Sequence, residues 1–245
     1  MPSLATDINS QTQSALKRYR DGKWRAPLFS DLVIGDIRSV GKNADVLDIG
    51  CGNGFDGSEK LQRAISMESH NFFGVEPDTK IVPPSCFTEV YSCSFEEAPL
   101  AAASIDVAYA AFVLEHVQRP DIFWKKLAHV LRPGGVFWGF TVDRRHYFAW
   151  ASTFLKWIRL KDAYLELLHG NGHYENYPTY YKCNSPRAGQ YYARHFSEVR
   201  CWSWNRRGQL DAYAPRSLRP LSHLMDRVEI ASGLPGSLLL VRAVL

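Results

Sequence analysis

A chain of 245 residues with 46% hydrophobic and 22% charged residues has an ordinary globular balance, enough for one α/β domain carrying an insertion. Its formal charge of +4 comes without dense basic clusters, which argues against a nucleic-acid interface, and its five scattered cysteines make no CxxC or Cys/His ligand spacing. The expectation is therefore reduced thiols in a cytoplasmic protein with no metal; the polar start "MPSLATDINSQTQ" lacks a signal-peptide core, and no apolar run reaches the ~18 residues of a membrane span.

Residues 1 to about 12 read as disordered, and "SALKRYRDGKWRAPLFSDLVIGDI" as one or two helices split near Pro27. "ADVLDIG" has the length and β-rich middle of a buried strand. "SEKLQRAIS" follows as a helix, then "NFFGVE", "CFTEVYSC" and "IDVAYAAF" as strands. Pro83-Pro84 forbids a full helix between the second and third strands. "LEHV" is helix-like, and "PDIFWKKLAHVL" is a helix with proline near its first turn, stopped by "RPGG" before the strand "VFWGFTV". From Asp143 to about Phe196 the rhythm breaks into an aromatic-rich stretch, read as a helix from about 148 to 168 and then a loop. "FSEVRCWSW" and "SLLLVRAVL" are strands flanking the helix "SLRPLSHLMDRVEIA", suited to an antiparallel pair at a sheet edge. Alternating strands and helices imply a mostly parallel sheet of about seven strands in one domain, with residues 1–40 as an N-terminal helical cap and 143–196 as a substrate-binding insertion.

"VLDIGCGNGFDG" poses the functional question. Gly52-x-Gly54-x-x-Gly57 fits a dinucleotide fingerprint, which would make the chain a nicotinamide-dependent oxidoreductase. Gly50, Gly52 and Gly54 form a second register, with Asp48 two residues ahead. A pyrophosphate is doubly negative and is disfavoured between Asp48 and Asp56. S-adenosylmethionine carries an ammonium and a sulfonium, for which a carboxylate at the strand end is an asset. Glu76 ends the next strand, where either nucleoside ligand uses an acid to accept from ribose hydroxyls.

"VLDIGCGNG", "GVEPD", "SFEEAPLAAASIDVAYAAFVLEHV" and "LRPGGVFWGFTV", in that order, resemble the class I S-adenosylmethionine-dependent methyltransferases, of the small-molecule type with "LEHV" and "LRPGG". The resemblance covers about residues 44 to 142. It implies a Rossmann-like seven-stranded sheet with helices on both faces, an antiparallel last strand and an insertion after the fifth strand. It places Asp48, Gly50, Cys51, Gly52 and Gly54 around the methionine portion, and Glu76 on the ribose with Pro77 beside the adenine. Ser94 and Phe95 fall at the adenine edge, and Ala110 and Ala111 at the donor's amino-acid end. Ser94 stands where related sequences often carry aspartate; a hydroxyl also accepts a hydrogen bond.

Methyl transfer from a sulfonium is an in-line displacement that needs alignment above all, and a general base when the acceptor is a hydroxyl. His116, His146 and His173 are the candidate bases, with His146 the most plausibly substrate-facing. Tyr147, Trp150, Tyr174, Tyr177, Tyr180 and Tyr181 are candidates for an acceptor-binding wall. Trp150, Phe154, Trp157 and Tyr164 share one helical face beside Lys156, Arg159 and Lys161, a pattern of packed cores and, less often, of peripheral membrane contact. The expected activity is O-methylation of a small molecule or glycoconjugate. The rivals are the oxidoreductase and a catalytically silent donor-binding module. A nucleic-acid base methyltransferase is disfavoured, because no Asn-Pro-Pro-Tyr-like tetrapeptide occurs.

Overall fold

In the computed structural model of the protein, residues 4–52, 54–147, 149, 177–209, 211 and 215–245 are described. The strands are β1 (Asp45–Ile49), β2 (Asn71–Val75), β3 (Glu89–Tyr91), β4 (Ile105–Ala111), β5 (Leu131–Val142), β6 (Glu198–Trp204) and β7 (Leu238–Val244). They form one sheet in the order β3-β2-β1-β4-β5-β7-β6. The first five pair in parallel, and β7 runs antiparallel to both β5 and β6. The chain order reverses beside β1, whose neighbours are β2 and β4. In an open α/β sheet the crevice at that switch point, beyond the strands' carboxyl ends, is where ligands bind.

The central strands are apolar on both faces, as a sheet covered on both sides requires. Val46, Phe72, Val107, Tyr109, Trp138 and Phe140 point into one core. Leu47, Val75, Ala108, Ala110 and Phe137 point into the other. The first core is closed by helices α1 (Leu4–Arg20), α2 (Arg25–Val40) and α3 (Glu59–Glu68). The second is closed by α4 (Pro120–Val130) and by residues of α5 (Pro186–Tyr192) and the turn that follows it. A sixth helix, α6 (Arg219–Ser232), bridges β6 and β7.

Local chemistry accounts for the element ends. Ser58 caps α3 by accepting from the Leu61 amide, and Pro120 opens α4 where a missing N–H costs nothing. α6 ends on Gly233 in the left-handed region, at φ 68°. Between β2 and β3 the Pro83-Pro84 stretch forms only turns, as expected.

Two expectations need correction. The N-terminal stretch read as disordered is helical from Leu4, because Ile8, Ala15, Leu16 and Tyr19 form a buried stripe that the polar composition hides. The break between the first two helices lies at residues 21–24, ahead of Pro27, which sits harmlessly in the first turn of α2. The helix read from about 148 to 168 lies outside the described residues, apart from Ala149.

Candidate cofactor and active site

The loop after β1 is fixed by its own backbone. Gly50 and Cys51 both donate to the Val75 carbonyl, at 2.8 and 3.1 Å, which ties the loop to the end of β2. Gly54 donates to Cys51, Phe55 and Ser58 exchange bonds, and Gly57 donates to Gly54. Gly50 has φ 77°, and a Cβ there would collide with Val113 Cγ2, so only glycine fits. Gly54 is equally confined, against the backbone of Ser58 and Glu59 at 2.6 Å.

Glu76 sets the next feature. Its carboxylate accepts from the Gly52 amide through Oε2 and from the Asp78 amide through Oε1, each at 2.9 Å. One lone pair on each oxygen remains, the number that a ribose with two vicinal hydroxyls needs. Glu76 is 7% exposed and lines a cavity of about 550 Å³, within the range of small-molecule sites. Gly50 and Gly52 form one part of its wall, Pro77, Ile81, Ser94 and Phe95 another, and Ala111, Phe112 and Val113 a third. Ser94 donates its single proton to Glu97 at 2.7 Å, so its oxygen is left as an acceptor.

The rim comes from two places. Phe112, just past β4, holds φ 60°, a strained backbone for an aromatic residue and a common mark of a functional site. The Arg25 guanidinium lies 4.1 Å from the Phe112 ring centre and makes two hydrogen bonds to Asp56, at 2.7 and 2.9 Å. The start of α2 therefore clamps the glycine loop to the end of β4. Opposite, residues 177–184 strap across the mouth. Tyr180 and Tyr181 donate backbone N–H groups to the Glu115 carbonyl, and Asn184 donates to Thr141 and to the Val142 carbonyl. Thr141 donates in turn to the buried Glu115 carboxyl, which desolvation holds above the usual carboxylate range. At its far end the strap is tied by the Tyr177 hydroxyl, which donates to Asp78 at 2.7 Å and holds that carboxyl below its ordinary range.

The strap also orients His116, which lies in the 3-10 turn Leu114–His116 and lines the cavity. Its Nδ1 is 2.9 Å from the Pro178 carbonyl, which can only accept. Nδ1 must therefore carry the proton, and in the neutral ring Nε2 keeps its lone pair.

Among the residues singled out in the sequence, the fold gathers Gly50, Gly52, Glu76, Pro77, Ser94, Phe95, Ala111, His116, Tyr177 and Tyr180 around this cavity. Others support it from behind. Ala110 is buried in the second core, Cys51 is buried with its sulfur packed over Gly74, and Gly54 turns the chain into α3. Tyr181 contributes its backbone. Asp48 does not reach the cavity surface: it points beneath the loop, where Gln62 and Tyr109 both donate to Oδ2 at 2.7 Å. His146 is not brought to the cavity either. It is 2% exposed and pairs with Glu229 at 2.7 Å, while Tyr147 reaches Asp226 at 3.4 Å, both on α6. A helix distant in sequence captures these two residues. His173, Trp150 and Tyr174 lie outside the described residues. With no helix between the second and third strands, Ile81 or Val82 was expected to replace that wall beside the adenine, and Ile81 lines the cavity. Phe112 and Arg25 were not foreseen; Asp56-Gly57 is a recognisable turn pair, but nothing local marks Phe112.

Burial pushes the Asp48 carboxyl up to about 7, against its hydrogen bonds from Gln62 and Tyr109, and the charge of Glu76 adds to the rise. The folded chain thus keeps a proton that the unfolded chain releases near pH 4. The resulting stability is full below that pH and is lost as pH rises to about 7. Asp48→Asn keeps an oxygen for both donors and cannot ionise. It should be more stable than the wild type at pH 8, by on the order of 3 kcal/mol, with the gap closing below pH 4. Denaturation curves across pH check this; a variant less stable than wild type at pH 8 would show that the fold favours the carboxylate.

The loop's amides bear on the choice of ligand. Gly50, Cys51, Gly52, Gly54, Phe55, Gly57 and Ser58 all donate to protein acceptors, so the loop offers a pyrophosphate no ready nest among these groups. A nucleoside with a positively charged amino-acid arm needs what is present: a carboxylate for the ribose, an apolar slot, and close backbone approach at glycine. Together with the sheet order, these features are those that the resemblance to the class I methyltransferases implies. Residues 47–139 match the family described as "Methyltransferase domain". That match covers less than half of this chain; over it the chain is similar to the methyltransferases, and S-adenosylmethionine is a cofactor whose ribose and amino-acid arm the cavity's groups suit.

Among curated proteins the chain is similar to a sterol 4-C-methyltransferase of Caenorhabditis elegans, 29% identical over 42% of this chain and 33% of that protein. It is also similar to a ubiquinone biosynthesis O-methyltransferase of Agrobacterium fabrum, 28% identical over 40% of this chain and 41% of that protein. The matches thus span less than half of either relative. A solved SAM-dependent methyltransferase of Thermotoga maritima shares the fold with a TM-score of 0.53 and 15% identity, over 86% of each chain.

Proposed function

We propose that the chain transfers a methyl group to a hydroxyl of a small molecule or glycoconjugate. The observation that carries this proposal is His116: an imidazole on the cavity wall whose tautomer is fixed by the Pro178 carbonyl, so that Nε2 can take a proton.

When bound, S-adenosylmethionine supplies a methyl group on a sulfonium, already activated for displacement. Glu76 would hold its ribose, Pro77, Ile81 and Phe95 its adenine, and Gly50 and Gly52 its amino-acid arm. The chain's own residues then align and deprotonate the acceptor. Tyr177 and Tyr180 offer flat faces at the mouth, suited to an aromatic ring or sugar. His116 Nε2 accepts the hydroxyl proton as the acceptor oxygen forms its bond to carbon. The strap of residues 177–184 keeps water from competing for that position. An O-methyltransferase among the relatives agrees with this chemistry, while the sterol C-methyltransferase shows that the shared domain serves other acceptor atoms.

The test pairs acceptors that differ only in the reacting atom, such as a catechol and the matching aminophenol, with methyl-labelled donor. Label should appear on oxygen in both compounds. Label on nitrogen alone would overturn the hydroxyl assignment.

A further inference from the structure

Helix α6 is built inside out. Its buried face carries Ser222, Asp226 and Glu229. Its outer face carries Leu221, Leu224, Met225 and Val228, spaced i, i+3, i+4 and i+7, with exposures of 57, 55, 39 and 55%. Leu218 before the helix and Leu234 after it are likewise more than half exposed.

The inward acids fix this orientation. Asp226 accepts from the Gly208 amide at 2.8 Å and from Gln209 at 3.2 Å, and Glu229 pairs with His146. Turning the helix to hide its leucines would strip both carboxylates of these partners. The apolar face is therefore held outward by the fold.

Charge and position indicate what it meets. Five arginines fall between residues 206 and 229, against three acids: Asp226 and Glu229 turn inward, and Asp211 pairs with His223 at 2.8 Å. Arg207, Arg216 and Arg227 are exposed, Arg216 two residues before Leu218 and Arg227 on the helix itself beside Val228 in sequence. β6 ends at Trp204, opposite Leu238 at the start of β7, which in turn faces Val142 at the end of β5. The whole link carrying α6 thus leaves from and returns to the carboxyl end of the sheet, the end that holds the cavity.

We propose that this arginine-rimmed apolar face of α6 docks on an anionic lipid bilayer, so that the site takes its acceptor from the membrane. The apolar arc would enter the headgroup boundary while the arginines meet lipid phosphates. This deepens the methyl-transfer proposal, on which its acceptor clause rests.

Co-sedimentation tests it, with vesicles of phosphatidylcholine alone and of phosphatidylcholine mixed with phosphatidylglycerol. The wild type should bind the anionic vesicles and leave the neutral ones largely unbound. Leu221→Ser/Leu224→Ser should weaken binding roughly tenfold or more. Arg216→Glu/Arg227→Glu should do the same, and raised salt should mimic it. S-adenosylhomocysteine affinity, measured on the same samples, should not change, which separates a failure of docking from a failure of the donor site. Absence of vesicle binding, or binding that ignores both variants, overturns the proposal. So does a concentration-dependent dimer that Leu221→Ser/Leu224→Ser dissolves in the absence of vesicle binding, since the face would then belong to a second copy.

Discussion

Replacing His116 with glutamine should lower kcat by about 10²–10⁴-fold and leave S-adenosylhomocysteine affinity within about twofold of wild type. The glutamine amide can still donate to the Pro178 carbonyl, so the strap keeps its anchor. Its remaining oxygen can accept a hydrogen bond but cannot take a proton at neutral pH. Only the proton-accepting role of Nε2 is removed, and KM for the acceptor should change far less than kcat. Equal losses in turnover and donor affinity would instead make His116 a packing residue of the rim. Unchanged turnover would remove the base from the mechanism.

Glu76→Gln should weaken S-adenosylhomocysteine binding by roughly 10–100-fold, the range for losing charge-assisted hydrogen bonds. The carboxylate faces donors only: the Gly52 and Asp78 amides now, and ribose hydroxyls when the cofactor is bound. A glutamine presents one oxygen and one NH₂, so whichever way it turns, an N–H confronts an N–H. The cost falls on the loop as well as on the ligand, because Gly52 is held in place by Oε2. Calorimetric titration gives the affinity, and thermal denaturation shows how much of the loss is structural. Wild-type affinity in this variant would remove Glu76 from the nucleoside site.

Most of the fold was legible because its signals are local. β1, β2, β4, β5 and β7 are short apolar runs buried on both faces, and glycines, prolines and Ser58 mark where they turn. The first half of α1 was not legible, since the helix's stripe is four apolar residues in a polar segment and becomes meaningful only against the core it meets. For the site, glycine spacing and an acid at a strand end were enough to locate the donor cavity. Strand parity was harder to read. Asp48 and Ile49 are neighbours, yet Ile49 lines the cavity and Asp48 faces Tyr109 below it. His146 illustrates the other limit: its position after β5 suggested the acceptor, but its partner is a glutamate on α6, and no local pattern announces that pairing. His116 was one of three candidate bases and ranked behind His146, since the carbonyl that orients it comes from the strap 62 residues away.

One titration of the wild-type chain goes to the centre of the account: S-adenosylhomocysteine and NAD, each added to the protein in a calorimeter at neutral pH. Among the described residues, the amides of Gly50, Cys51, Gly52, Gly54, Phe55, Gly57 and Ser58 are given to Val75, Glu76 and the loop's own carbonyls, and Glu76 stands ready for a ribose. S-adenosylhomocysteine should therefore bind with micromolar affinity, and NAD should give no saturable heat. Saturable NAD binding with no response to S-adenosylhomocysteine would mean that the loop reorganises around a pyrophosphate, and would contradict the account.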